Sequence, residues 1–170
     1  NAGIGAASPL CGMLFMSAIE TPLTTVSYKG TGPAMTDLLG GQVDIMCDQT
    51  TNTTKQITGG TIKAYAVTSP ERLKVLPDLP TTIEAGLPAV QVGIWHGIYA
   101  PKGTPAEITE RLSKSLQVAL KDPNVVARFA ELGTAPSSEA DATPAALKAK
   151  LESEIARWKP IIEAAGQYAD

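Results

Sequence analysis

The sequence is short of aromatics, histidine and cysteine, and each shortage removes a class of function. Phe, Trp and Tyr make up 5% of the 170 residues, which leaves no stacking platform for nucleic-acid bases. The 14 Lys and Arg face 17 Asp and Glu and form no basic run, so the footprint of a nucleic-acid or anionic-membrane binder is missing. No apolar stretch approaches the roughly 20 residues that span a bilayer. The single histidine, His96, stands beside Trp95 and is read as structural. It cannot alone supply a nucleophile, a base and an orienting group. No His, Cys and carboxylate grouping has zinc-ligand spacing, so no catalytic residue, cofactor or metal site is expected. Two cysteines, Cys11 and Cys47, are too few for a disulfide scaffold. One falls on an expected helix and the other on an expected strand, and both are read as buried free thiols.

Apolar residues make up 44% of the chain, enough for one domain with a core, or one domain and part of another. A glycine motif leads into an apolar helix reaching Ala18, which tolerates Pro9 in its first turn and ends at Thr21-Pro22. Strands are expected at 23–28, 43–48, 62–68 and 91–100, where β-branched and apolar residues concentrate. Between them, Pro33 opens a short helix closed by Gly40-Gly41. A polar helix around 51–58 stops at Gly59-Gly60, and 69–81, with its prolines, reads as a long surface loop.

Beyond residue 104 only helical patterns remain. Thr104-Pro105-Ala106-Glu107 carries the cap, proline and glutamate of a helix start, with apolar periodicity to about Leu120. Asp122-Pro123 repeats the device, with Gly133 as the stop. Thr143-Pro144 opens a third helix with Leu147, Leu151, Ile155 and Trp158 on one face, a kink expected at Pro160, and Gly166 after its end. Asp122, Glu131, Glu152 and Glu154 read as caps or solvated faces. Strand–helix alternation followed by helices alone gives an α/β fold with a mainly parallel sheet. The last helices have apolar faces but no strands of their own, so they call for a partner surface.

Five motifs, in order, resemble one family. They are Asn1-Ala2-Gly3-Ile4-Gly5-Ala6-Ala7-Ser8; Tyr28-Lys29-Gly30-Thr31-Gly32-Pro33-Ala34 with Asp37-Leu38-Leu39-Gly40-Gly41-Gln42-Val43-Asp44; Leu76-Pro77-Asp78-Leu79-Pro80-Thr81 with Glu84-Ala85-Gly86-Leu87-Pro88; Trp95-His96-Gly97; and Ala100-Pro101-Lys102-Gly103-Thr104-Pro105. Together they are similar to the extracytoplasmic receptors of tripartite tricarboxylate transporters, also called Bug receptors. The resemblance implies a periplasmic-binding-protein-like (type II) architecture of two α/β lobes with the ligand in the cleft. On that template residues 1–92 are the second lobe, 93–104 a crossover strand and hinge, and 105–170 carboxyl-terminal helices that pack on a first lobe whose amino-terminal part is absent from this sequence. It further implies a periplasmic protein that hands a small carboxylate to the transporter's membrane subunits, without enzymatic activity and without nucleic acid as a partner. The alternative class is the effector-binding domain of a LysR-type transcription regulator, which shares the two-lobe design, although no helix-turn-helix pattern is present.

The first motif resembles the family's ligand loop. A glycine loop leading into a helix offers unpaired N–H groups and the positive end of the helix dipole, a receptor for a carboxylate. Gly3 and Gly5 either admit such a group or only make a tight turn; the resemblance favours the former, with the backbone of Gly3, Ile4, Gly5, Ala6, Ala7 and Ser8 as the contacts and the Ser8 hydroxyl beside them. Family members often carry Ser and His where Ala6 and Pro9 stand here, so the contacts implied are those of the backbone. The second loop, with Tyr28, Gly30 and Thr31, precedes another helix start and supplies further candidates. Asp48 ends a strand at the edge where open α/β sheets bind ligands. It either accepts from a ligand hydroxyl or water, or caps the following helix.

Overall fold

The computed structural model describes residues 7–164, which form two compact units, one ending at Ile94 and one beginning at Trp95. The described residues contain helices α1 (Ala7–Ala18), α2 (Thr31–Leu39), α3 (Thr50–Thr58), α4 (Ala106–Ala119), α5 (Pro123–Glu131) and α6 (Pro144–Ala164). The first three lie in the first unit and the last three in the second.

Glycine and proline set most of the helix ends. The Gly40 amide closes α2 on Thr36 O at 2.9 Å, and Gly41 follows at φ 70°, a conformation that costs glycine little. Gly59 and Gly60 end α3 in the same way. α2 begins two residues before Pro33, which leaves the proline in the first turn, where its missing N–H has no intrahelical partner to lose. Asp122 caps α5 as expected, Oδ1 accepting from Asn124 N at 2.8 Å. Thr143 Oγ1 accepts from Ala146 N at 3.2 Å at the start of α6. α6 continues through Pro160 to Ala164; Gly166, read as following its end, lies outside the described residues.

One expected cap is not made. Thr104 donates to Pro101 O at 2.8 Å, and α4 starts at Ala106 with no side-chain cap. The local turn through Gly103, at φ 90°, ties Thr104 back to Pro101, whose carbonyl accepts from both the Thr104 N–H and its hydroxyl. The reciprocal pattern forms instead inside the proline-rich stretch. Thr81 N donates to Glu84 Oε2 at 2.7 Å and Glu84 N to Thr81 Oγ1 at 3.1 Å. Both Glu84 oxygens also accept from Arg72 Nε at 3.0 Å. Arg72 first, and then the Thr81 N–H, hold the Glu84 carboxyl below its ordinary pKa.

The four segments expected as strands carry no ladder: among the described residues the β pairing is one isolated parallel bridge, Val67 with Thr81. It is built from Val67 N to Pro80 O at 2.9 Å and Thr82 N to Val67 O at 2.8 Å. Side chains extend this contact, since Thr68 Oγ1 donates to Val92 O at 2.8 Å and Thr82 Oγ1 to Val90 O at 2.7 Å. Residues 67–68, 81–82 and 90–92 are thus joined across the first unit. The buried hydrophobic residues gather there and beside α1 and α2: Cys11, Met13, Ala34, Met35, Val67, Leu76, Val90 and Val92.

The cysteines are not free thiols. Cys11, on α1, is disulfide-bonded to Cys47, with Cα atoms 6.3 Å apart, inside the range a bridge requires. A helix and the segment after α2 can come that close because tertiary packing, not local spacing, sets the distance. Closing a loop between positions 36 residues apart stabilises the fold by about 4 kcal/mol in the chain-entropy picture.

α3 buries Thr53 and Thr54. Their hydroxyls turn back onto the helix, Thr53 onto Gln49 O at 3.1 Å and Thr54 onto Thr50 O at 2.7 Å. In the second unit no described residue is buried. Glu154, expected on a solvated face, is instead mostly covered, its side chain 14% exposed. It accepts from Lys150 Nζ at 2.8 Å and from Trp158 Nε1 at 2.7 Å. One turn of helix separates these partners on either side, so they fold over the carboxylate and hold its pKa low, with Lys150 the larger cause.

Candidate functional site

One pocket of the first unit, with a volume of about 50 Å³, brings the first described turn of α1 together with the starts of α2 and α3. Ala7 and Ser8 come from α1 and Thr31 is the first residue of α2, while Asp48 and Gln49 immediately precede α3. Cys11 and Cys47 form part of the wall, and Thr68, Val92 and Ile94 complete the lining. No Lys or Arg is among these residues, and the only side-chain charge is that of Asp48. An anion received here would be held by N–H groups and helix dipoles, with no salt bridge to help.

Asp48 is the polar centre of the pocket. Its Oδ2 accepts from Thr31 Oγ1 at 2.7 Å; its Oδ1 accepts from Gln49 N at 2.6 Å and from Asn52 Nδ2 at 2.9 Å. Asn52 Nδ2 also reaches Thr31 Oγ1 at 3.2 Å. The carboxylate therefore ties the start of α2 to the start of α3. Of its roughly four acceptor positions three are filled, which leaves one for a further donor.

The sequence candidates divide into three groups. Ala7, Ser8, Thr31 and Asp48 line the pocket. Gly3, Ile4, Gly5 and Ala6 lie outside the described residues. Tyr28 and Gly30 are not in the lining. The Tyr28 hydroxyl donates to Asp37 Oδ2 at 2.7 Å, and this bond, then desolvation, raises its pKa above 10.0. Gly30 stands at the position before α2 with φ 115°, where any side chain would be strained, so its part is to shape the turn that delivers Thr31. His96 is exposed and belongs to the second unit.

Sequence reasoning missed Gln49, Asn52, Thr68, both cysteines, Val92 and Ile94. Asn52 had a usable signal, since it follows Asp48 by four residues across a helix start, a spacing at which side chains meet. Thr68, Val92 and Ile94 had none, because they reach the pocket only through tertiary packing.

A helix-lined pocket of this kind can be set beside known structures. The chain matches the periplasmic binding protein BugD at 54% identity and a TM-score of 0.91, covering 98% of this chain and 55% of that one. MatC from Rhodopseudomonas palustris, solved with bound malate, matches at 38% identity and a TM-score of 0.89, covering 94% and 54%. The fold class is therefore the α/β architecture of the periplasmic binding proteins. A UPF0065 protein of Agrobacterium vitis is 54% identical over 167 residues, 98% of this chain and 48% of the relative. The model of the tripartite tricarboxylate transporter family receptor, TctC, matches residues 1–167, and the chain belongs to that family. It spans about half the length of the relatives it matches. This is a family of solute-binding receptors, and no described helix is long and apolar enough to cross a membrane.

Proposed function

We propose that this chain supplies the second lobe and the carboxyl-terminal helices of a periplasmic receptor that captures a small carboxylate and delivers it to the membrane subunits of a tripartite tricarboxylate transporter, without catalysing a reaction. The observation that carries this reading is the meeting, at one pocket, of the first described turn of α1 with the starts of α2 and α3, with no cationic side chain among the described lining residues. That arrangement suits a carboxylate bound by backbone N–H groups and dipoles. Malate in MatC supports an acid of that size class. In this reading residues 1–92 form the lobe, 93–104 cross back, and 105–170 pack on a first lobe. The exposed stripes of α4, with Ile108, Leu112 and Val118, support such a packing surface. Family membership removes the reason to prefer a regulator's effector domain.

Calorimetric titration of the full-length receptor with malate, succinate and citrate tests the proposal. The expected result is one site for at least one of these acids, weakened at least tenfold by Gly5→Val, which would block close approach to the loop. Binding of none of the three, or full affinity in Gly5→Val, would remove the assignment of this loop.

A further inference from the structure

We infer that the Cys11–Cys47 disulfide is a positioning bond of the ligand site as well as a stabiliser of the fold. The inference rests on the carboxylate reading above and concerns what keeps the pocket's two sides in register.

Both cysteines line the pocket, and Cys11 is 4% exposed. Cys11 lies four residues after Ala7 and three after Ser8 on α1, the spacing that places all three on one helix face. Cys47 is bonded in sequence to Asp48. The disulfide therefore joins the face of α1 that carries Ala7 and Ser8 directly to the residue whose carboxylate gathers Thr31, Gln49 and Asn52. The polar tie holds α2 to α3, and the covalent tie holds α1 to that pair. None of the donors to the Asp48 carboxylate lies on α1, and the disulfide supplies a covalent link from α1 to that cluster.

A carboxylate held by N–H groups from more than one helix start needs those starts at fixed separation, because hydrogen bonds weaken steeply with distance and angle. Among the described lining residues there is no Lys or Arg to follow a displaced anion. Loss of the covalent tie is therefore expected to reach affinity through geometry, and a displacement near 1 Å is enough to matter at such sites.

The test compares the oxidised full-length receptor, the same protein reduced by dithiothreitol, and the Cys11→Ala/Cys47→Ala variant. Dithiothreitol takes up the bond as its own cyclic disulfide and leaves two thiols. Each form is titrated with malate, succinate and citrate at 15 °C, where circular dichroism must match the oxidised protein. A positioning bond predicts about a tenfold loss of affinity in both altered forms at unchanged helix content, restored in the first by reoxidation. A bond that only stabilises predicts a lower melting temperature with affinity within twofold, and that result overturns the inference. Should the double variant fail to fold, reduction and reoxidation of the unaltered protein decide the matter alone. If the oxidised receptor binds none of the three acids, the carboxylate reading fails and this inference falls with it.

Discussion

The two units of this chain treat their apolar residues in opposite ways. Up to Ile94 the chain folds around buried Met13, Met35, Val67, Val90 and Val92 and adds a covalent cross-link. From Trp95 on, no described residue is buried, and Val118 on α4 is 72% exposed. Yet the second unit has the longer helices and two of the clearest caps, at Asp122 and Thr143. Local signals are thus sufficient to specify a helix, and they do nothing to cover its stripe. In this protein the core is made by the unit with shorter helices, because α1, α2 and the segments near 67, 81 and 90 converge.

The largest expected effect on this contrast comes from the cross-link. Replacing both cysteines by alanine should lower the stability of the first unit by about 4 kcal/mol. Both tryptophans, Trp95 and Trp158, lie in the second unit, so their fluorescence follows that unit while hydrogen exchange over 7–94 follows the first. Equal shifts in both signals would show that the units unfold as one and end the contrast.

Met35→Ala comes next, with a loss of about 2–5 kcal/mol for an emptied core position, read as a shifted denaturation midpoint. A smaller effect belongs to Glu154. Its folded pKa lies below the ordinary 4.5, so its contribution is present above that value and is lost as pH falls through the folded one. Glu154→Gln should therefore flatten the pH dependence of second-unit stability below about pH 4.5, with little change in slope at neutral pH. An identical acid limb in the variant would mean that Lys150 and Trp158 do not hold the carboxylate. The smallest effect is expected for Val118→Ala on the 170-residue chain, within about 0.5 kcal/mol. If the full-length receptor loses about 2 kcal/mol or more with the same change, its added residues cover the stripe.

Much of the helical layout was legible because it is written in local chemistry. Pro33, Gly40-Gly41, Gly59-Gly60, Asp122-Pro123 and Thr143-Pro144 mark their helix ends within a residue or two. Thr104 misled, since the turn before the helix ties both its N–H and its hydroxyl to Pro101 O, and the helix begins beyond it at Ala106. Thr81 and Glu84 hid a reciprocal capping pair in a stretch that composition marks only as loop. Four segments rich in β-branched residues read as strands but carry no ladder, because pairing belongs to neighbours in space and not to a segment by itself. At the site, Ala7, Ser8, Thr31 and Asp48 were legible from loop-to-helix transitions. The disulfide was not, because the 6.3 Å between its Cα atoms arises from packing across 36 residues.

The threonines of α3 show how composition can misstate a surface. Read by formula, α3 is polar, with Ile57 as its one aliphatic residue. Thr53 and Thr54 are nonetheless only 8% and 6% exposed, and each spends its hydroxyl on the backbone carbonyl four residues back. What remains for neighbours to touch is the methyl, so these side chains meet the interior much as valines do. The two halves of the side chain can then be separated by substitution. Thr54→Ser deletes the methyl and keeps the alcohol, whereas Thr54→Val keeps the shape and deletes the alcohol. Serine should prove the more damaging replacement by melting temperature, although it is the one that preserves polarity.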